Sequence, residues 1–183
     1  MEVLTGEPLA LDLVNTRAHT PAGDADFLDT ADGLGVWLAR QSERLTGLPS
    51  PLPAAGLAAV RRLRAHVEAA VTAVAAGRTP PAAAVAALNE AARAAPAHLV
   101  LGDSGVESRR DAAPLDRLLA ELAEAAITLL GTPGASRIKS CEAPGCRMFF
   151  LPAHPRRRWC SPELCGNRVR VARHYERAKS GQL

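Results

Sequence analysis

The apolar positions of the chain fall into stretches of helical spacing separated by breaks rich in proline and glycine. Leu57, Val60, Val67, Val71 and Val74 recur at the intervals of one helix face, with Arg64 on the same face, until Gly77 stops the run. Thr79 as an N-cap predicts a further helix from Pro80 to about Ala94, with Val85, Leu88 and Ala92 to one side. Pro114 opens a broader stripe of Leu115, Leu118, Leu119, Leu122, Ala126 and Leu129 that ends near Gly131. Phe27 to Leu45 reads as a helix that offers Leu34, Trp37 and Leu38 to a core.

Other segments are less regular. In Pro8 to Arg17, Leu9, Leu11 and Leu13 alternate as in a strand, while Ala10, Leu13, Val14 and Arg17 share a helical face; Pro8 as a first helical residue favours the helix. The stretch onward to Asp26 carries Pro21 and Gly23 and reads as a loop, and Leu48 to Pro53, with three prolines, as a connection. His98–Leu101 and Val106–Arg109 flank a Gly-Asp-Ser-Gly turn and form the only sheet expected in this part. The prediction is a mainly α fold with a small β-hairpin (α+β): a helical body over residues 1–134, a break at Gly131–Ser136, and a separate module over 137–183.

Composition changes this picture in one respect. A hydrophobic share of 48% with 22% charge belongs to a folded globular chain. Charge is divided unevenly: residues 137–183 hold 11 Lys and Arg against 3 Glu, whereas the preceding residues hold 11 against 16 acids. The basic surplus thus lies in the last quarter of the chain. No apolar run approaches the roughly 20 residues needed to span a bilayer, and Met1–Asn15 lacks a basic region ahead of an apolar one, so a cytoplasmic location and no membrane partner are expected.

All four cysteines fall within 25 residues, as Cys141-x4-Cys146, a gap of 13, then Cys160-x4-Cys165. In a reducing compartment two close pairs of thiols point to metal rather than disulfides, and four thiolates close the tetrahedron of one structural zinc ion, leaving no position for water or substrate. His154, in a proline-flanked turn, is an alternative ligand expected instead at the surface. Within the gap, Met148–Leu151 and Arg156–Trp159 are expected to pair as a hairpin that returns Cys160 to Cys146. Ser161 then caps a helix with Pro162 at its first position, places Cys165 in the first turn and runs to about Lys179. Knuckle, hairpin and helix make a treble-clef-like zinc finger with four cysteine ligands.

Cys165-Gly166-Asn167-Arg168, with Arg157-Arg158-Trp159-Cys160-Ser161, resembles the CGNR zinc-finger family, and Leu11-Asp12-Leu13-Val14-Asn15-Thr16 is similar to the opening motif of the ABATE domain that commonly precedes that finger. Members are described as stress-induced transcription regulators, so the resemblance implies double-stranded DNA as partner of the finger and a regulatory or sensing role for the body. Leu151-Pro152-Ala153-His154-Pro155 departs from the family's longer polar loop before the Arg-Arg-Trp.

The candidate nucleic-acid contacts are Arg156, Arg157 and Arg158 before the third cysteine, and Arg168, Arg170, Arg173 and Arg177 along the last helix, where Leu164, Val171 and Tyr175 would pack on the hairpin. Against this stands charge compensation, because a tetrathiolate zinc site carries a charge of about −2 that neighbouring arginines neutralise. Phe149, Phe150 and Trp159 are expected in the finger's core rather than stacked on bases. Asp12 and Asn15 are the ligand-recognition candidates of the body, set against a capping or buried hydrogen-bonding role; a small-molecule effector and a homodimer both remain open. No Ser-His-Asp set, HExxH or phosphate-binding glycine loop is present, so no enzyme is expected. The alternative to a DNA-binding regulator is a zinc-stabilised protein-interaction module without direct DNA binding.

Overall fold

The computed structural model describes residues 5–20, 23–45, 54–103, 105–179 and 181. Its body is built on α3 (Ala54–Ala75), α4 (Ala82–Ala94) and α5 (Pro114–Gly131), with the short α1 (Leu9–Val14) laid against α3 and α5. Their shared interior holds Leu11, Leu13, Val60, Val67, Val71, Leu88, Leu118 and Leu122. The stripes read from the sequence are largely the packed faces, since apolar side chains three and four positions apart project to one side of a helix; Val85, read onto the α4 stripe, is instead exposed, and Ala84 and Leu88 are the buried residues there. Pro81 rather than Thr79 precedes α4, and no side chain caps it.

Three elements differ from expectation. The stretch read as a loop before Asp26 is a hairpin, with β1 (Arg17–Thr20) antiparallel to β2 (Gly23–Asp26) and Arg17 opposite Asp26. Its sequence, short and polar, lacks the apolar alternation that marks a strand, and what holds it is ionic. Buried Arg64 sends Nη1 and Nη2 to the two carboxylate oxygens of Asp26, each at 2.6 Å, and Nη1 also to Thr16 Oγ1 at 2.7 Å. α1 accordingly ends at Val14 instead of running through Arg17, and Thr16 Oγ1 turns back to donate to Leu13 O at 2.6 Å. α2 (Ala31–Ala39) is shorter than the expected Phe27–Leu45 helix because Thr30 caps it, its Oγ1 accepting from Gly33 N. The proline connection Leu48–Pro53 lies outside the described residues.

β3 (His98–Gly102) and β4 (Gly105–Arg109) pair as expected. After α5 a 3-10 turn (Pro133–Arg137) leads into β5 (Lys139–Ser140), which pairs with β6 (Phe149–Phe150). This corrects the expected hairpin: the partner of Phe149–Phe150 precedes the first cysteine, and Arg156–Trp159 forms no strand. Arg158 O does accept from Glu142 N at 3.1 Å, so the returning segment is still tied to the knuckle. One π turn (Pro162–Gly166) precedes α6 (Asn167–Lys179). Among the described residues no helix is long and apolar enough to cross a membrane.

The two parts are packed together: Ala135, Ile138 and Phe149 belong to the core of the body, while Phe150, the next residue, lies in the separate core of the finger with Ala143 and Val169. Strand alternation sends adjacent side chains to opposite faces, so one two-residue strand serves both interiors.

Candidate metal centre and basic surface

Two local devices bring the four cysteines together. Between Cys141 and Cys146 the chain closes a tight turn, Cys146 N donating to Ala143 O at 2.9 Å, and Gly145 takes φ of 73°, a left-handed conformation costly for a residue with a Cβ. At the other end Ser161 Oγ accepts from Leu164 N at 3.1 Å and Ser161 O accepts from Gly166 N at 3.0 Å, which closes the π turn and holds Cys165 toward the other cysteines. Gly166 is needed for close contact: a Cβ there would stand 3.0 Å from Trp159 Cδ1. In this way Trp159 packs over the turn that carries the last ligand.

The four sulfurs lie within 4.8 Å of one another. Cys160–Cys165, Cys146–Cys165 and Cys146–Cys160 are 3.5, 3.7 and 3.8 Å apart. A tetrahedron with metal–sulfur bonds of about 2.3 Å has edges of about 3.8 Å, so the cage matches zinc in both size and donor type. Cys141 Sγ also accepts from Cys160 N at 3.3 Å, and Arg168 Nη2 lies 3.8 Å from Cys165 Sγ while donating to Pro144 O at 3.1 Å. Such donors suit thiolates.

The cluster needs a cation to hold four negative sulfurs. Hydrogen bonding to Cys141 pushes the Cys146 thiol up to about 12, and hydrogen bonds to Cys141 and Cys146, with burial, push Cys160 up as well. Cys141 is the counterpart, held at about 2 by the hydrogen bonds it accepts from Cys146 and Cys160. A divalent ion takes the place of those shared protons. His154 stays outside the cage, exposed, its Nδ1 accepting from Arg156 N at 3.2 Å.

Residues 7–133 match the family model ABATE, described as "Putative stress-induced transcription regulator", and residues 137–178 match the model of the CGNR zinc finger. The chain belongs to the ABATE family. No curated protein matches it. With the CGNR match and the sulfur cage together, the cofactor is one structural zinc ion, held by Cys141, Cys146, Cys160 and Cys165.

The ABATE motif itself turns out to be a set of internal fasteners. Leu11 and Leu13 are core. Asp12, fully buried, accepts from Gly6 N and Glu7 N, both at 3.1 Å, and pairs with Arg44. Asn15 Nδ2 donates to Phe149 O and its Oδ1 accepts from Phe149 N, both at 2.8 Å. Thr16 serves Arg64, as described. Asp12 and Asn15 do border a small cavity of about 270 Å³ with Glu7 and Arg157, but the hydrogen-bonding groups named here are occupied by the chain itself.

The basic residues divide into two groups. Arg157 is turned inward: Nε donates to Trp159 O at 3.0 Å, Nη2 to Glu7 Oε1 at 2.7 Å and Cys160 O at 2.6 Å, and the guanidinium lies 4.4 Å over the Phe150 ring. Arg158 pairs with Glu142 and lies 5.0 Å from the Trp159 ring centre. Arg156, Arg170, Arg173 and Arg177 are exposed, and Arg177 Nε reaches Arg173 O. Arg158, Arg168 and Arg173 border one groove of about 320 Å³ beside Trp159. Leu164, Val171 and Tyr175 do not pack on the hairpin as expected; they are 57%, 46% and 64% exposed, because α6 leaves the finger after Val169. Phe149 and Phe150 are buried, and Trp159 is half-buried.

Sequence reasoning missed Glu7 and Arg147, which tie finger to body, and Arg44, which holds Glu7 and Asp12 within the body. Glu7 Oε2 accepts from Leu151 N at 2.9 Å, and Arg147 stands 3.5 Å from both Asp24 and Glu68. These are ordinary charged residues in ordinary surroundings along the chain, and nothing local sets them apart.

Proposed function

We propose that the protein is a DNA-binding transcription regulator in which α6 and the groove beside it contact the phosphates of double-stranded DNA, and the helical body governs that contact. The observation that carries the reading is the exposure of every described side chain of α6 from Arg170 onward, on a helix bearing Arg170, Arg173, Arg177 and Lys179. A solvated basic helix anchored at one end by a rigid metal cage has the form needed to lie along a duplex. Arg156 and Arg168 extend the same positive surface, and Arg158, paired with Glu142, borders it. In this reading Arg157 fixes the geometry of the finger and does not touch nucleic acid, and no reaction is catalysed.

A second reading, a zinc-stabilised module that docks a protein, is favoured by the exposed stripe of Leu164, Val171 and Tyr175. The two separate in a salt titration of binding to a mixed-sequence DNA duplex, with one zinc per chain verified on the sample. The DNA reading predicts affinity that falls log-linearly with salt. It predicts that the triple variant Arg170→Ala, Arg173→Ala, Arg177→Ala loses about 2–3 from the slope, each phosphate contact contributing about 0.9. No binding at low salt by the zinc-loaded protein would sink it and favour the docking module.

A further inference from the structure

One opening in the body has no role in anything said so far. It is a cleft of about 740 Å³, where one face of α5 looks toward the end of β4 and toward Arg44. The volume admits one molecule of metabolite size. Its walls are charged, with Arg44, Arg109, Arg110 and Arg117 facing Asp111, Glu121 and Glu124.

Most of the charged groups are committed to each other. Arg110 forks onto Glu124, with Nη1 to Oε1 at 2.9 Å, lies 4.0 Å from Glu121, and donates to Ala95 O. Arg109 pairs with Glu107 at 2.8 Å. Arg117 is the exception: its Nε is buried and has no hydrogen-bond partner. A buried guanidinium donor left without an acceptor is costly, and Arg117 lines an open polar cleft, so a shift of its side chain that brings Nε to an acceptor from outside relieves that cost. A guanidinium fork matches the paired oxygens of a carboxylate or phosphate.

Arg44 gives the cleft a route to the finger. While it lines the opening, its Nη1 donates to Glu7 O at 2.7 Å and its Nη2 reaches Asp12 and Gln41. Glu7 in turn holds Leu151 N and Arg157 through its carboxylate. An anion that draws Arg44 toward the cleft therefore competes with the bonds that hold Glu7 in place, and through Glu7 acts on the seat of the finger.

We propose that this cleft binds a small organic anion, a carboxylate or a phosphate, with Arg117 as its anchor and Arg44 as the link by which occupancy loosens the seat of the finger. The inference rests on the reading of the body as a sensing domain, but its tests need no DNA, so its failure and that of the DNA reading are distinguishable.

The whole zinc-loaded chain is titrated calorimetrically with citrate, succinate and inorganic phosphate at constant ionic strength. At least one is expected to bind, and Arg117→Gln and Ala125→Glu, the second placing a carboxylate at the cleft wall, are each expected to weaken it tenfold or more with zinc content and helical signal retained. Binding by none of the three probes overturns the site, as does binding unaffected in both variants. Saturation with the bound probe is expected to speed hydrogen exchange at the Phe149 and Leu151 amides in the parent and not in Arg44→Gln. Unchanged exchange in the parent overturns the link to the finger.

Discussion

Asn15 and Phe149, 134 positions apart, are joined by a reciprocal pair of hydrogen bonds, the side-chain amide meeting both polar groups of one residue as a neighbouring strand would. β6 is therefore paired by β5 through its backbone and by Asn15 through a side chain, and the finger is seated on the body at that point. Aspartate could not substitute, since it accepts and cannot donate when ionised.

Asn15→Ala leaves the N–H and C=O of Phe149 buried without partners, a residue that is itself 8% exposed. The expected loss is about 2–4 kcal/mol, in the range for two unsatisfied buried groups. Urea unfolding with the zinc content held at one per chain measures it, and a loss under about 0.5 kcal/mol would show that water replaces the side chain.

Arg157→Ala is expected to destabilise the protein by about 1–3 kcal/mol, through loss of charge-assisted bonds to Glu7 and to two carbonyls. Arg157→Lys should not restore it, because one ammonium cannot span three acceptors held by a planar fork. Thermal unfolding gives the stability change. The salt slope of DNA binding should stay at the parent value, in contrast to the α6 variants.

Gly166→Ala drives a methyl group to 3.0 Å from Trp159, and the indole must shift from the turn that carries Cys165. Overpacking of this kind costs about 1–3 kcal/mol. Because zinc binding and finger folding are one equilibrium, the cost should appear as weaker zinc affinity in competition with a chelator, about tenfold or more. Stability of the body helices should change little.

Asp26 supplies a pH dependence. Burial acts to raise its pKa, yet hydrogen bonds from Arg64 and from the Leu28 amide, with the charge of Arg64, hold it below the ordinary 3.8. Its contribution to stability is therefore complete above that ordinary value and is lost as pH falls through the lower folded value. Asp26→Asn should cost about 3–5 kcal/mol at neutral pH by leaving the buried Arg64 charge unpaired. The gap between parent and variant should narrow below about pH 4. A gap that stays constant down to pH 2 would remove the ion pair as its cause.

The order and type of the principal helices were legible along the chain because helical periodicity is local: each stripe needs only its own residues and any apolar partner. The zinc cage was legible for a related reason, since two short cysteine pairs reach one point with little loop-closure cost, and thiols that close together have few other stable chemistries. Glycine at position 166 also stood in the written motif, but its cause, the Trp159 ring, became visible only in space.

What tertiary structure alone decided was the use of each polar residue. Asn15, Asp12 and Arg157 carry no mark in the sequence that separates a ligand contact from an internal bond, because their partners stand as far as 150 positions away. The β1–β2 hairpin escaped for the same reason: Arg64, which holds Asp26, comes from a helix 38 positions on. The partner of β6 was likewise a choice between two segments that backbone hydrogen bonding alone does not distinguish. Hydrophobic periodicity marked most of the buried faces of the body helices but not of α6, whose Val171 and Tyr175 stay exposed; charge pairs and amides across the chain determined how the buried pieces are fastened, since a directional bond exists only once both ends have been brought together.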